Sequence, residues 1–261
     1  MRRKRTRHPN YTPAVCMGVC ALLSVWALGL LLHRCSAPFR PQIQSRMQSQ
    51  VQPQGNVVEL EDHEVLTLQL QDPQLPNGCE VTSLAMLLGW AGYPVDKEEL
   101  YWEYLPRQNF SYDDQGREIG GDPEQVYVGD ASTETAGWYC MEGPIVEAGN
   151  LYLQQQGSAR ALEAVSGLSR RDLDAYLEEE IPLVAWVTLD YESPFRCDGG
   201  WYLANGSFYN PYCNLHCVVV LAQGEEGYLT ANPLTGWQWV DEDQFWSAFD
   251  AMGRRAVVVT K

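Results

Sequence analysis

Three residues of this chain have types and spacing that could do covalent chemistry: Cys79, His216 and Asn232. Cys79 follows Asn77-Gly78 and precedes Glu80 and the apolar run from Val81 to Leu88, which puts it at the first position of a helix. Backbone N–H groups and the helix dipole favour a thiolate there. A thiolate nucleophile commonly needs an imidazole that pairs with it and then protonates the leaving group. Two histidines follow residue 40. His63 lies in the acidic run Glu61-Asp62-His63-Glu64 and reads as a solvated surface group. His216 precedes Cys217-Val218-Val219-Val220-Leu221 and opens a buried-type strand. Alone it reads as a core histidine with one satisfied hydrogen bond. Asn232-Pro233 closes the next strand, and a side-chain amide beside an imidazole can fix its tautomer and orientation. A hairpin turning near residues 223–227 would bring His216 and Asn232 side by side.

The elements that must hold these groups follow from periodicity. Leu66, Leu68 and Leu70 alternate with polar residues, a strand pattern. Val81, Leu84, Ala85, Leu87 and Leu88 make a broad helical stripe ending at Gly92, with Pro94 beyond. Asp96-Lys97-Glu98-Glu99 resembles a capping box, and Ser169 with Asp172 three residues on caps a helix over 170–179. Further helices are expected over 143–156 and 242–250, and loops over 106–142. Strands are expected over 183–189, 215–222, 228–231 and 256–260. Helices first and an antiparallel-type sheet afterwards is an α+β pattern.

Charge divides the chain. Residues 1–40 hold seven Lys/Arg and no Asp or Glu; residues 41–261 hold the other 11 Lys/Arg and all 34 Asp/Glu, a formal −23. So acidic a region is repelled by nucleic acid, and no nucleic-acid partner is expected. Residues 14–32 are uncharged over 19 positions behind five basic residues, enough for a helix across a hydrocarbon core of roughly 30 Å. The run exceeds a signal-peptide core, and Leu32-His33-Arg34-Cys35 is a poor cleavage site. The expectation is a basic cytoplasmic tail over 1–13, an uncleaved signal anchor over 14–33 that meets the lipid bilayer, a Gln/Ser/Pro-rich stalk over 34–56 and an extracytoplasmic domain over 57–261. That domain carries five cysteines, Cys79, Cys140, Cys197, Cys213 and Cys217; the odd count flags a reactive thiol.

The run Gln71-Asp72-Pro73-Gln74-Leu75-Pro76-Asn77-Gly78-Cys79-Glu80-Val81-Thr82-Ser83-Leu84-Ala85-Met86-Leu87-Leu88 closely resembles the opening motif of the bacteriocin-processing-like cysteine peptidases, family thirty-nine of that class. The resemblance continues through Gly121-Asp122-Pro123, Val128-Gly129-Asp130 and Gly143-Pro144-Ile145. It resumes at Asn214-Leu215-His216-Cys217-Val218-Val219 and Ala231-Asn232-Pro233-Leu234-Thr235-Gly236, covering roughly residues 57–261. It implies a papain-like fold, with the helix that carries the nucleophile packed on an antiparallel sheet, and a bacterial source. It implies Cys79 as nucleophile and His216 as base and acid. The orienting group falls at Asn232, where the family usually carries Asp. Gln71 is the implied side-chain donor to the oxyanion, with Gln74 nearer in sequence, and the Cys79 backbone N–H the second donor. No ATP-binding motif and no multi-span pattern accompany these residues, so a free-standing anchored domain is expected.

Cys197, Cys213, His216 and Cys217 form a competing zinc-type set. His216 and Cys217 are adjacent on a strand and alternate in direction, and outside the cell Cys197 and Cys213 read better as a disulfide. No metal and no cofactor are expected. Trp201, Tyr202, Phe208, Tyr209 and Tyr212 either line a substrate groove or anchor loops on the sheet. The sequons at Asn109 and Asn205 matter only in a eukaryotic secretory route and are discounted. The reading is an extracytoplasmic, membrane-anchored thiol peptidase that hydrolyses peptides or proteins. A silent binding domain of the same fold, or acyl or peptidyl transfer by the same Cys–His pair, is the alternative.

Overall fold

Two strands whose residues are almost wholly apolar organise the molecule. Leu183–Thr188 (LVAWVT) is buried at all six positions, and Leu215–Gly224 is buried over its first seven. Strands covered on both faces read as continuous apolar runs, and these two lie at the centre of a sheet. In this computed structural model, which describes residues 57–58 and 66–260, the sheet has six strands. They are β1 (Leu162–Ala164), β2 (Leu183–Thr188), β3 (Leu215–Gly224), β4 (Gly227–Asn232), β5 (Gly236–Val240) and β6 (Ala256–Val259). The order is β5-β4-β3-β2-β6-β1, and every neighbouring pair is antiparallel. Four helices pack on it: α1 (Cys79–Trp90), α2 (Glu142–Gln155), α3 (Arg170–Glu178) and α4 (Glu242–Ala251).

The α1 helix is more deeply placed than an amphipathic stripe predicts. All of its residues except Gly89 are buried, including Glu80, Thr82 and Ser83. A helix surrounded on every side belongs in the core. It packs on β3 and β2, and Ser83 Oγ donates to the Cys217 carbonyl at 3.4 Å. It stops as expected: Gly92 adopts φ +85, and Tyr93 N–H returns to the Leu88 carbonyl. On the outer strands, Tyr228 of β4 packs its ring at a tilt on Phe245 and donates to Asp174, which fastens α4 and α3 to the sheet.

The expected α+β order holds, and α2, α3 and α4 fall within a residue or two of their expected spans, the capping box at Ser169 included. Four local readings change. The 66–70 strand is confined to Leu66–Thr67, because the chain then turns into side-chain and backbone contacts, with Gln69 donating to Val95 O and Gln71 N–H to Pro233 O. Asp96 caps through Glu98 N–H, not Glu99, over a helix of only Lys97–Glu99 that continues as the π-helical turn Leu100–Tyr104. The 106–142 region carries four two-residue strands among its turns. The strands β1 and β5 were not read from periodicity. Both lie at sheet edges, and β5 is buried only at Gly236 and Val240, too weak an alternation to see. The segments expected as cytoplasmic tail, anchor and stalk, and His63, lie outside the described residues; among those that are described, no helix is long and apolar enough to cross a membrane.

Candidate active site

Cys79 sits at the first position of α1, 2% exposed, after a chain segment fixed almost atom by atom. Successive turns are closed by Leu75 N–H to the Gln71 carbonyl (2.9 Å) and Gly78 N–H to the Leu75 carbonyl (2.8 Å). Asn77 is held from three sides. Its N–H meets the Ala131 carbonyl, its Nδ2 donates to the Thr133 carbonyl at 2.6 Å, and its own carbonyl accepts from Tyr127 Oη at 2.8 Å. A Cβ on Gly137 would lie 2.8 Å from the Asn77 Cβ, so only glycine allows that close packing. Gly78 has φ −103, an ordinary conformation. A Cβ there would lie 2.7 Å from the Leu75 Cβ. Its lack of a side chain thus serves the turn before the helix.

His216 occupies the second position of β3, 2% exposed, opposite Val187 of β2. Its Nε2 lies 2.9 Å from Asn232 Oδ1, also buried, at the end of β4. The hairpin between β3 and β4 pairs Val219 with Ala231 and slips by a bulge between Val220 and Ala222. Asn232 is itself braced, since Oδ1 also accepts from Leu234 N–H at 2.9 Å and Nδ2 approaches Gln238 Oε1 at 3.5 Å. The amide oxygen facing the ring makes Nε2 the protonated nitrogen. Gln238 comes from β5, one of the two strands that periodicity missed.

Gln71 is buried, and its N–H donates to the Pro233 carbonyl at 2.8 Å, which ties it to the Asn232-Pro233 corner. Its Nε2 donates to the Pro76 carbonyl, while Oε1 is buried with no hydrogen-bond partner. Gln74 is exposed and accepts from Lys97 Nζ at 3.0 Å. The structure thus joins His216 directly to Asn232, and Gln71 to the residue after Asn232. It packs the helix that begins at Cys79 against β3, whose second residue is His216.

The chain belongs to the Peptidase_C39 like family. Its family model matches residues 64–257. The uncharacterized protein YvpB of Bacillus subtilis is 30% identical over 202 residues, which cover 76% of this chain and 74% of that protein. A crystal structure titled as a C39-like peptidase from Bacillus anthracis superposes with a TM-score of 0.64 at 27% identity, covering 79% of this chain and 98% of that one. A carboxylate is buried beside Cys79. Glu80 is fully buried; Cys79 Sγ lies 3.3 Å from Glu80 Oε2, and Glu80 Oε1 accepts from Cys140 N–H at 3.2 Å. The Trp186 indole donates to the Cys140 carbonyl at 2.9 Å and so fixes that peptide. Burial, with the Glu80 charge next, pushes the Cys140 thiol well above its usual range. Burial also raises Cys217 far up, with Cys79 and then Glu80 adding to it. Both therefore remain neutral thiols. Glu80 was seen in the sequence only as a polar neighbour of Cys79.

Cys197 and Cys213 form a disulfide with Cα atoms 5.1 Å apart, which removes two members of the competing zinc-type set. Of the aromatic residues near it, Trp201 is an anchor: it is 1% exposed, donates to the Gly121 carbonyl and packs on Phe110 and Tyr209. Phe208, by contrast, is 52% exposed. A separate cavity of about 320 Å³ lies among Met141, Trp186, Arg196, Tyr212, Leu215 and Arg255.

Proposed function

We propose that this protein is a membrane-anchored, extracytoplasmic thiol peptidase that hydrolyses peptide bonds with Cys79, His216 and Asn232. The observation that carries the reading is the buried 2.9 Å contact between His216 Nε2 and Asn232 Oδ1 on neighbouring strands; the core helix that Cys79 opens packs on β3, the strand that holds His216. With Nε2 committed to Asn232, Nδ1 is the nitrogen that takes the thiol proton and returns it to the leaving amine. Cys79 Sγ attacks the carbonyl. The developing oxyanion is received by the Cys79 backbone N–H at the helix start and by the Gln71 side-chain amide. The tether from Gln71 to Pro233 supports that choice over Gln74, which is turned toward Lys97.

The test is hydrolysis of a peptide library by the full-length protein, followed as kcat/KM against pH. Asn232→Asp is expected to retain activity and to move the alkaline limb to higher pH, because an added carboxylate favours the imidazolium. Asn232→Ala is expected to lose about 10²-fold, near the lower end of what a positioned acid–base group contributes. An unmoved alkaline limb in a folded Asp variant would show that Asn232 merely braces the turn at Leu234. The anchor is tested separately. Its support is the uncharged 14–32 run behind five basic residues. Protease added to intact cells should remove residues 57–261 and spare the N-terminal tail; recovery of the domain only in the cytosol would refute the anchor.

A further inference from the structure

The buried carboxylate beside the nucleophile has no role in the mechanism above. Its two oxygens are both engaged: Oε2 faces Cys79 Sγ at 3.3 Å, and Oε1 accepts the Cys140 N–H, whose peptide is pinned by the Trp186 indole. Two donors, Cys79 S–H and Cys140 N–H, and the N-terminal end of α1 offset the cost of burying its charge. We propose that Glu80 is a positioning residue: it accepts the Cys79 S–H bond, aims the sulfur, and sets the pH at which that thiol ionises. This rests on the reading of Cys79 as nucleophile for its consequence on rate.

The groups that bear on the sulfur come from three elements. From α1 there is Glu80 and the helix terminus; from β3 there are His216 and the neutral Cys217; from the segment leading into α2 there is the neutral Cys140. Glu142, next in line, is drawn to Arg255, which also pairs with Glu124. The helix terminus and an imidazolium lower the ionisation pH of Cys79, and the carboxylate raises it. When the thiol ionises, its proton goes to the imidazole; Glu80 loses the S–H bond, faces the thiolate with Oε2, and keeps the Cys140 N–H on Oε1. The carboxylate thus places the acid limb of the reaction higher than an isolated Cys–His pair would.

The experiment is iodoacetamide alkylation of the full-length chain without substrate, quantified on the peptide that carries Cys79 across pH 5 to about 9. Glu80→Gln keeps an oxygen for Cys140 N–H and removes the charge. Its Cys79 alkylation midpoint is expected to fall by about one pH unit, giving roughly tenfold faster labelling below the midpoint. Glu80→Asp, which withdraws the charge by one methylene, should fall between. Glu80→Ala, lacking charge and acceptor, should also shift downward. An unchanged or higher midpoint in a folded Gln variant would overturn the proposal, and so would an upward shift in the Ala variant, the mark of a protonated acid donating to the thiolate. Cys140 and Cys217 should stay unlabelled as internal controls. Because the readout uses no substrate, failure of the peptidase reading would leave the midpoint shift in place, and failure of this proposal would leave hydrolysis intact.

Discussion

Cys79→Ala is expected to lower kcat/KM for peptide hydrolysis by about 10⁴-fold or more, to the level of residual binding and oxyanion contacts. The fold should barely notice. The side chain loses one sulfur in a first helical turn whose backbone is set by Thr82 N–H on the Gly78 carbonyl and by the Asn77 anchors, so a stability change of about 1 kcal/mol is expected. His216→Ala should cost a similar factor, since nucleophile and base act as a unit, and the double variant should be no worse than either alone. Additive losses, or hydrolysis that survives in folded Cys79→Ala, would sink the assignment. Melting temperatures alongside the kinetics separate lost chemistry from lost structure.

Trp186→Ala carries the largest expected effect on stability, about 3–5 kcal/mol. Trp186 is fully buried in the centre of β2, paired with Cys217 of β3, and its indole N–H satisfies the Cys140 carbonyl. Truncation therefore opens a cavity and strands a buried acceptor. Denaturant titration measures it. Trp186→Phe refills most of the volume without the donor, so it should recover much of the packing loss and leave about 1–3 kcal/mol from the unpaired carbonyl. A Phe variant as stable as the native chain would show that the hydrogen bond contributes nothing. The same variant loosens the Cys140 peptide that Glu80 leans on, so a shift in Cys79 alkylation should accompany it.

Much of the candidate site was legible in the residues themselves. Gly78-Cys79 before an apolar run predicts a helix start, and 2.0-period and continuous apolar runs predict β2, β3 and β6, because local chain geometry forces those periodicities. The Asn232-Pro233 pair marks a strand end, because proline cannot continue a ladder and asparagine bonds its own backbone two residues on, as Asn232 Oδ1 does with Leu234 N–H. Distance in sequence is what hid the rest. The hairpin near 223–227 does bring His216 and Asn232 side by side as its turn predicts, but the register that leaves them 2.9 Å apart includes a bulge between Val220 and Ala222, a slip that no pattern within either strand specifies. Gln71 reaches the Asn232 corner through one backbone bond to Pro233 across more than a hundred residues, and Trp186 braces Cys140 from another strand. The burial of Glu80 was equally invisible. A carboxylate in a first helical turn ordinarily points to water, and only the packing of strands and of the Cys140 segment around every side of α1 turns it inward against the sulfur. Local sequence determined which groups are available and which elements carry them; long-range packing decided which of them touch.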